Sequence, residues 1–191
     1  MQNMQNKQMK NDQQKKGGAS APPHFSPRGI ALFATLLLFG GILTGMGSKP
    51  PQIGGPASDF QAITTEGQSV RLSDYRGKVL LLTFWATWCE PCKKELPEIE
   101  AAYEKHKREG LAVLAVNFGE KREEAETFAK KMGFPFPTLV DRKVAIAERY
   151  GVISLPVSFF IDADGIIRER VIGGLMTEAG IGKSFEQIRK P

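Results

Sequence analysis

The chain is poor in cysteine and histidine: Cys89 and Cys92 are its only cysteines, and His24 and His106 its only histidines, among 191 residues. Two cysteines cannot staple a fold of this length, so its stability has to come from a packed core. A bridge between them closes so short a loop that it removes little chain entropy, which argues against a purely structural disulfide. A zinc site would need two further ligands. His24 precedes an apolar segment, and His106 stands among Lys105, Lys107 and Arg108 on what reads as a solvated helix face, so no metal is expected. There is no third cysteine, and none stands directly after the apolar segment, where a lipoprotein would carry one. The net charge of +5 is also local: Lys7, Lys10, Lys15, Lys16 and Arg28 against Asp12 give 5 − 1 = +4 before residue 29. The remainder is nearly neutral, and nothing in it points to nucleic acid.

Residues 1–28 are rich in Gln, Asn, Lys, Gly and Pro without apolar periodicity and read as a disordered basic tail on the cytoplasmic side. Gly29 to Met46 is uncharged and mostly apolar. As a helix it would span roughly 27 Å, just short of the ~30 Å hydrocarbon core of a bilayer. The lysines before it keep the N-terminus inside and send the rest of the chain out. We therefore expect a transmembrane signal-anchor at 29–47, a Gly/Pro linker at 48–56 and a folded domain at 57–191. A cleaved signal peptide is the alternative, although no small-x-small site follows the run. A buried globular helix fits poorly, because the run is apolar on all sides.

What is present is Trp88-Cys89-Glu90-Pro91-Cys92, directly after the apolar run Val79 to Trp85. A cysteine pair between a buried strand and a helix suits thiol-disulfide exchange, whose nucleophile is a thiolate. The helix that follows offers unpaired N–H groups and the positive end of its dipole at its first turn, where Cys89 sits. Pro91 falls where a missing N–H costs nothing. Cys92, almost one helical turn on, can face Cys89. Cys89 is accordingly assigned as the attacking thiolate and Cys92 as the resolving thiol, with no cofactor beyond their redox-active disulfide. Two thiolates can also hold Cu(I), so a copper chaperone remains open as a reading from another class.

Alternating strand and helix patterns predict an α/β fold with a central sheet. Strands are expected near 59–63, 69–72, 79–85, 112–117, 138–140, 157–161 and 166–171, and helices near 90–109, 121–132, 144–150 and 177–189. Asp162-Ala163-Asp164-Gly165 is a hairpin turn signal. Pro97 falls inside the first long helix and should bend it.

Strand, W-C-x-x-C and long helix together resemble thioredoxin, as does Leu155-Pro156-Val157 between Tyr150-Gly151-Val152 and Ser158 to Ile161. In that family the corresponding proline peptide is cis and faces the sulfurs, where Leu155 and Pro156 would offer an edge to an extended substrate. Over roughly residues 51–190 the chain is similar to membrane-anchored extracytoplasmic reductases of the ResA, CcmG and TlpA type. The residues carrying this are Cys89 to Pro97, Gly54 to Phe60, Leu72 to Lys78 and Val116-Asn117-Phe118-Gly119-Glu120. The inserted helix-strand unit between the strand at 112–117 and the helix at 144–150 carries it too. The resemblance implies a thioredoxin-like fold with a central mixed sheet, an N-terminal β extension and this insertion, preceded by one transmembrane helix. It also implies a single-pass protein of the bacterial cytoplasmic membrane with its catalytic domain outside. There it would reduce disulfides of exported proteins, apocytochrome c during cytochrome c maturation above all, with electrons from a membrane thiol donor of the CcdA or DsbD kind. A general extracytoplasmic oxidant or isomerase uses the same motif and stays open, whereas a peroxidase would carry its cysteine in a different local sequence.

Other residues are expected to tune the thiols. Glu95 lies three positions after Cys92, near the cysteine face of the helix. Burial would raise its pKa and let it exchange protons with the thiols, as the resemblance implies; complementing the helix dipole is the plainer reading. Glu120 matches a second glutamate of the family near the substrate groove, and a helix N-terminal acid explains it equally well. Trp88 is expected to shield the nucleophile and touch substrate, and Trp85 to sit in the core. Glu90 and Pro91, between the cysteines, are expected to set the reduction potential and contact substrate. Phe134-Pro135-Phe136-Pro137 reads as a rigid packed loop.

Overall fold

A computed structural model describes residues 49–174 and 176–190. The basic tail 1–28 and the anchor 29–47 lie outside the described residues; among the described residues no helix is long and apolar enough to cross a membrane.

A five-stranded mixed sheet organises the domain, in the order β5-β4-β3-β6-β7, where β3 is Val79–Trp85, β4 Leu111–Phe118, β5 Thr138–Asp141, β6 Val157–Ile161 and β7 Ile167–Ile172. β3 runs parallel to β4 and antiparallel to β6. All seven residues of β3 are buried, as a central strand covered on both faces requires. Its side chains alternate between two cores. Leu80, Leu82 and Phe84 join Leu114, Tyr150 and Phe159 on one face, and Val79, Leu81 and Trp85 join Leu96, Ile99 and Phe185 on the other. Burying one such leucine is worth about 2 kcal/mol.

Helix α1 (Glu90–His106) covers the second core, with Cys92, Leu96, Ile99 and Ala102 on its buried side and Pro97 accommodated inside it. The helix α4 (Glu178–Ile188) packs against α1 through Ile181 and Phe185, aided by the Glu178 N–H donating to Glu98 Oε2 at 2.7 Å. The insertion is present as helix α2 (Arg122–Met132) followed by β5, and the short helix α3 (Ala145–Arg149) precedes β6. A small antiparallel pair, β1 (Gln61–Ile63) with β2 (Ser69–Arg71), forms the N-terminal β extension and bridges to β5 through Thr64 and Leu139. The hairpin between β6 and β7 turns where expected, with Gly165 at φ 75 and the Ile166 N–H held by Asp162 Oδ1 at 2.8 Å.

Three expectations change. The first long helix ends as α-helix at His106 and tightens into a 3-10 turn over Lys107–Glu109, closed by left-handed Gly110. His106 is not on a solvated face but 8 % exposed, tilted against Phe185 with ring centroids 5.1 Å apart. Its neighbours in sequence point outward, whereas at +7 from Ile99 and +4 from Ala102 it shares their buried side. Finally, the stretch read as linker is packed onto the domain: Pro51 is buried, the Gly54 N–H donates to Ile167 O, and Pro56 bridges to Ile166.

Candidate active site

β3 ends at Trp85, and the chain turns through Ala86, Thr87 and Trp88 at the carboxyl edge of the parallel strands, the usual place for a site in an α/β sheet. The Cys89 N–H donates to Ala86 O at 3.2 Å, and Cys89 then becomes the N-cap of α1. Its Sγ accepts the Cys92 N–H at 3.2 Å, so a sulfur does what a serine or aspartate oxygen does at other helix starts. Cys89 and Cys92 are joined as a disulfide with Cα atoms 5.3 Å apart, and both are buried, Cys89 at 4 % exposure and Cys92 at 1 %. Pro91 is in the first turn and exposed; Glu90 is exposed and paired with Lys93 at 2.6 Å. The hydrogen bond from Lys93 holds the Glu90 carboxyl below its usual range.

Glu95 is 2 % exposed, and its Oε2 has no hydrogen-bond partner among the described residues. Burial pushes its pKa up to about 7, and the backbone of Met176, just before α4, draws it partway back. A carboxyl three positions from Cys92 on one helix face, protonated or ionised with similar ease near neutrality, can both give and take a proton there. The dipole reading does not account for a carboxyl so fully removed from water.

Glu120 lies beside the active-site turn rather than serving as the acid at the start of a helix. Its carboxylate reaches back to the active-site turn, accepting from the Thr87 N–H at 2.7 Å, from the Thr87 hydroxyl and from the Asn117 amide at 2.7 Å. The start of α2 is held instead by Glu124, which accepts the Lys121 N–H at 3.0 Å. Thr87 and Asn117 are site residues that sequence reasoning missed. The available signal was Asn117 itself, a polar residue with 0 % exposure at the end of the apolar β4.

Leu155-Pro156 is a cis peptide. Phe84 pairs with Val157, so continuing the register sets Pro156 level with Trp85 and Leu155 level with Ala86, beside the turn that carries Cys89. Pro156 is buried, its carbonyl accepting the Gly173 N–H at 2.9 Å, and Leu155 is half-buried. Trp88 stands out at 62 % exposure immediately before the disulfide. Trp85, at 1 %, packs on Phe128 and Phe134 at 5.3 and 5.7 Å. The Phe134–Pro137 loop is packed as expected, with Phe136 buried and stacked on Phe134 at 5.2 Å. The structure thus brings Cys89, Cys92, Trp88, Glu90, Pro91 and Glu120 to one edge of the sheet, puts Leu155 and Pro156 on the adjoining strand, and buries Glu95 beneath them.

Comparison with known proteins agrees with this geometry. The AhpC/TSA family matches residues 53–170. The thiol-disulfide oxidoreductase ResA of Geobacillus thermodenitrificans (strain NG80-2) is 40% identical over 137 residues, covering 72% of this chain and 78% of that protein. ResA of Bacillus subtilis (strain 168) is 39% identical over 136 residues, covering 71% and 75%. Among solved structures, a Chlorobium tepidum protein described as a thiol:disulfide interchange protein DsbE superposes with a TM-score of 0.65 at 33% identity, over 72% of this chain and 96% of that one. StoA from Bacillus subtilis gives 0.59 at 30% identity, over 68% and 97%. The chain therefore belongs to the AhpC/TSA family and is a thioredoxin-like thiol-disulfide oxidoreductase of the ResA/CcmG/TlpA type.

Proposed function

We propose that this chain is a reductase working on the outer face of the bacterial cytoplasmic membrane, held there by the 29–47 segment, and that its principal substrate is the oxidised haem-site cysteine pair of apocytochrome c. The observation that carries this reading is the pairing of an N-cap sulfur at Cys89 with a buried carboxyl at Glu95 whose pKa is pushed up to about 7. In the reduced chain the Cys89 thiolate, favoured by the helix N-terminus, attacks one sulfur of the substrate disulfide and forms a mixed disulfide. The substrate sulfur released takes a proton. Cys92, as thiolate, then attacks the Cys89 sulfur, expelling the second substrate sulfur, which is protonated in turn. The products are a substrate dithiol and the Cys89–Cys92 disulfide, two electrons and two protons having passed to the substrate. Glu95 mediates proton exchange at Cys92. Trp88, Leu155 and Pro156 form the surface against which an extended substrate lies, and Glu120 keeps the turn in register. A membrane dithiol donor of the CcdA or DsbD kind restores the reduced state, since this chain has no third cysteine for the task.

The reduction potential tests the direction of transfer. Equilibration with a defined thiol buffer is expected to place the pair near or below about −220 mV, with reductases; a value near about −120 mV would make the chain an oxidant of exported proteins. Stoichiometric Cu(I) binding with negligible disulfide reductase activity would instead favour copper delivery.

A further inference from the structure

At the far end of α1 from the disulfide, three groups with metal-ligating atoms converge: His106 at the end of α1, Glu109 in the 3-10 turn and Glu186 on α4, with one ligand atom from each lying within 4.8 Å of the others. His106 is 8 % exposed, and its Nδ1 has no hydrogen-bond partner among the described residues. Glu109 Oε1 lies 3.3 Å from that nitrogen without completing a hydrogen bond. An unpaired buried imidazole nitrogen has a cost in an apolar surround, and here the apolar surround is tight. The ring packs on Phe185, and a Cβ at Gly182 would come within 3.0 Å of Nε2, so the glycine makes room for the imidazole against α4. Nδ1 faces Glu109, whose carboxylate, like that of Glu186, is half-exposed, at 42 % and 38 %, and reachable from solvent.

Arg189 already holds those carboxylates together, its Nη1 lying 3.0 Å from Glu109 Oε2 and its Nε 3.1 Å from Glu186 Oε2. The guanidinium lowers the repulsion between the two acids and fixes them beside the imidazole, and it competes with any cation that approaches. We propose that His106, Glu109 and Glu186 form a divalent-cation site that staples the end of the active-site helix α1 to α4. One imidazole and two carboxylates match the borderline chemistry of zinc, with water in the fourth position. The site is separate from the thiols: Cys92 and His106 lie toward opposite ends of α1, roughly 21 Å apart along its axis.

Equilibrium dialysis of the full-length chain against Zn²⁺, with the disulfide intact so that neither thiol can ligate, tests the site. One zinc per chain is expected. Affinity should fall at least about tenfold in His106→Gln and in Glu186→Gln, since loss of even an outer-sphere partner costs that much. Arg189→Gln, which removes the competing cation, should bind more tightly than the parent. Glu186 is half-exposed, so its variant keeps the fold if His106→Gln does not, and zinc should raise the melting temperature of the parent but not of Glu186→Gln. No binding by the oxidised chain, or undiminished binding in both ligand variants, overturns the site.

Discussion

Between about pH 4.5 and about pH 7, Glu95 keeps a proton in the folded chain that it gives up when unfolded, because burial raises its pKa. The folded state then binds more protons than the unfolded state, so stability falls as pH rises through that window and levels off above it. The whole effect is about 3 kcal/mol. Glu95→Gln stays neutral throughout and should flatten this part of the profile, which denaturant unfolding at several pH values would check; an unchanged slope would mean that Glu95 does not titrate there. The same variant should shift the titrations of the two thiols in the reduced chain. Cys92→Ser should stop exchange at the mixed disulfide, so that a covalent complex through Cys89 accumulates on non-reducing gels, while Cys89→Ser should give none. The cysteines were legible because their chemistry follows from position at a helix start, whereas spacing left Glu95 between two readings and the family resemblance favoured the functional one. The unpaired state of Glu95 Oε2 and the company kept by His106 were not legible, because both depend on what α4 brings from the other end of the chain.

At the scale of elements, the active-site turn is held from the neighbouring strand rather than by its own helix. Glu120 spans from the end of β4 to Thr87, past the end of β3. Glu120→Ala leaves the Thr87 N–H and the Asn117 amide without their acceptor and should cost about 1–3 kcal/mol in stability. It should also slow thiol-disulfide exchange, because Cys89 follows Thr87 by two residues; stopped-flow reaction of the reduced chain with a model disulfide would measure this. A variant with normal exchange and reduced stability would confine Glu120 to structure. Periodicity located β3 and β6 to the residue and the other elements to within a residue or two, except where a helix tightened into 3-10 geometry. The bond from Glu120 to Thr87 was beyond that reading, since the parallel pairing of Trp85 with Asn117 creates it.

Over the described part of the molecule, residues 49–56 are part of the fold. Gly54 and Gly55 exchange backbone hydrogen bonds with Ile167 at 2.8 and 3.0 Å, closing the start of the edge strand β7. A fragment beginning at Ala57 should therefore be less stable than one beginning at Lys49 by about 1–3 kcal/mol for the lost bonds, and melt at a lower temperature; equal melting temperatures would return this stretch to the status of a tether. The sequence by itself determined the chemistry and the α/β class: two cysteines at helix spacing after an apolar strand, strand and helix periods in alternation, and an inserted helix-strand unit. These are local properties, carried by residues within a turn or a strand of one another. Only the tertiary structure decided which polar groups lose water and which distant residues meet them. Packing α4 on α1 buries His106, and Met176 just before α4 lies against Glu95; parallel pairing of β3 with β4 delivers Glu120 to the active-site turn. Burial and long-range contact are properties of the assembled layers, and no short window of residues contains them.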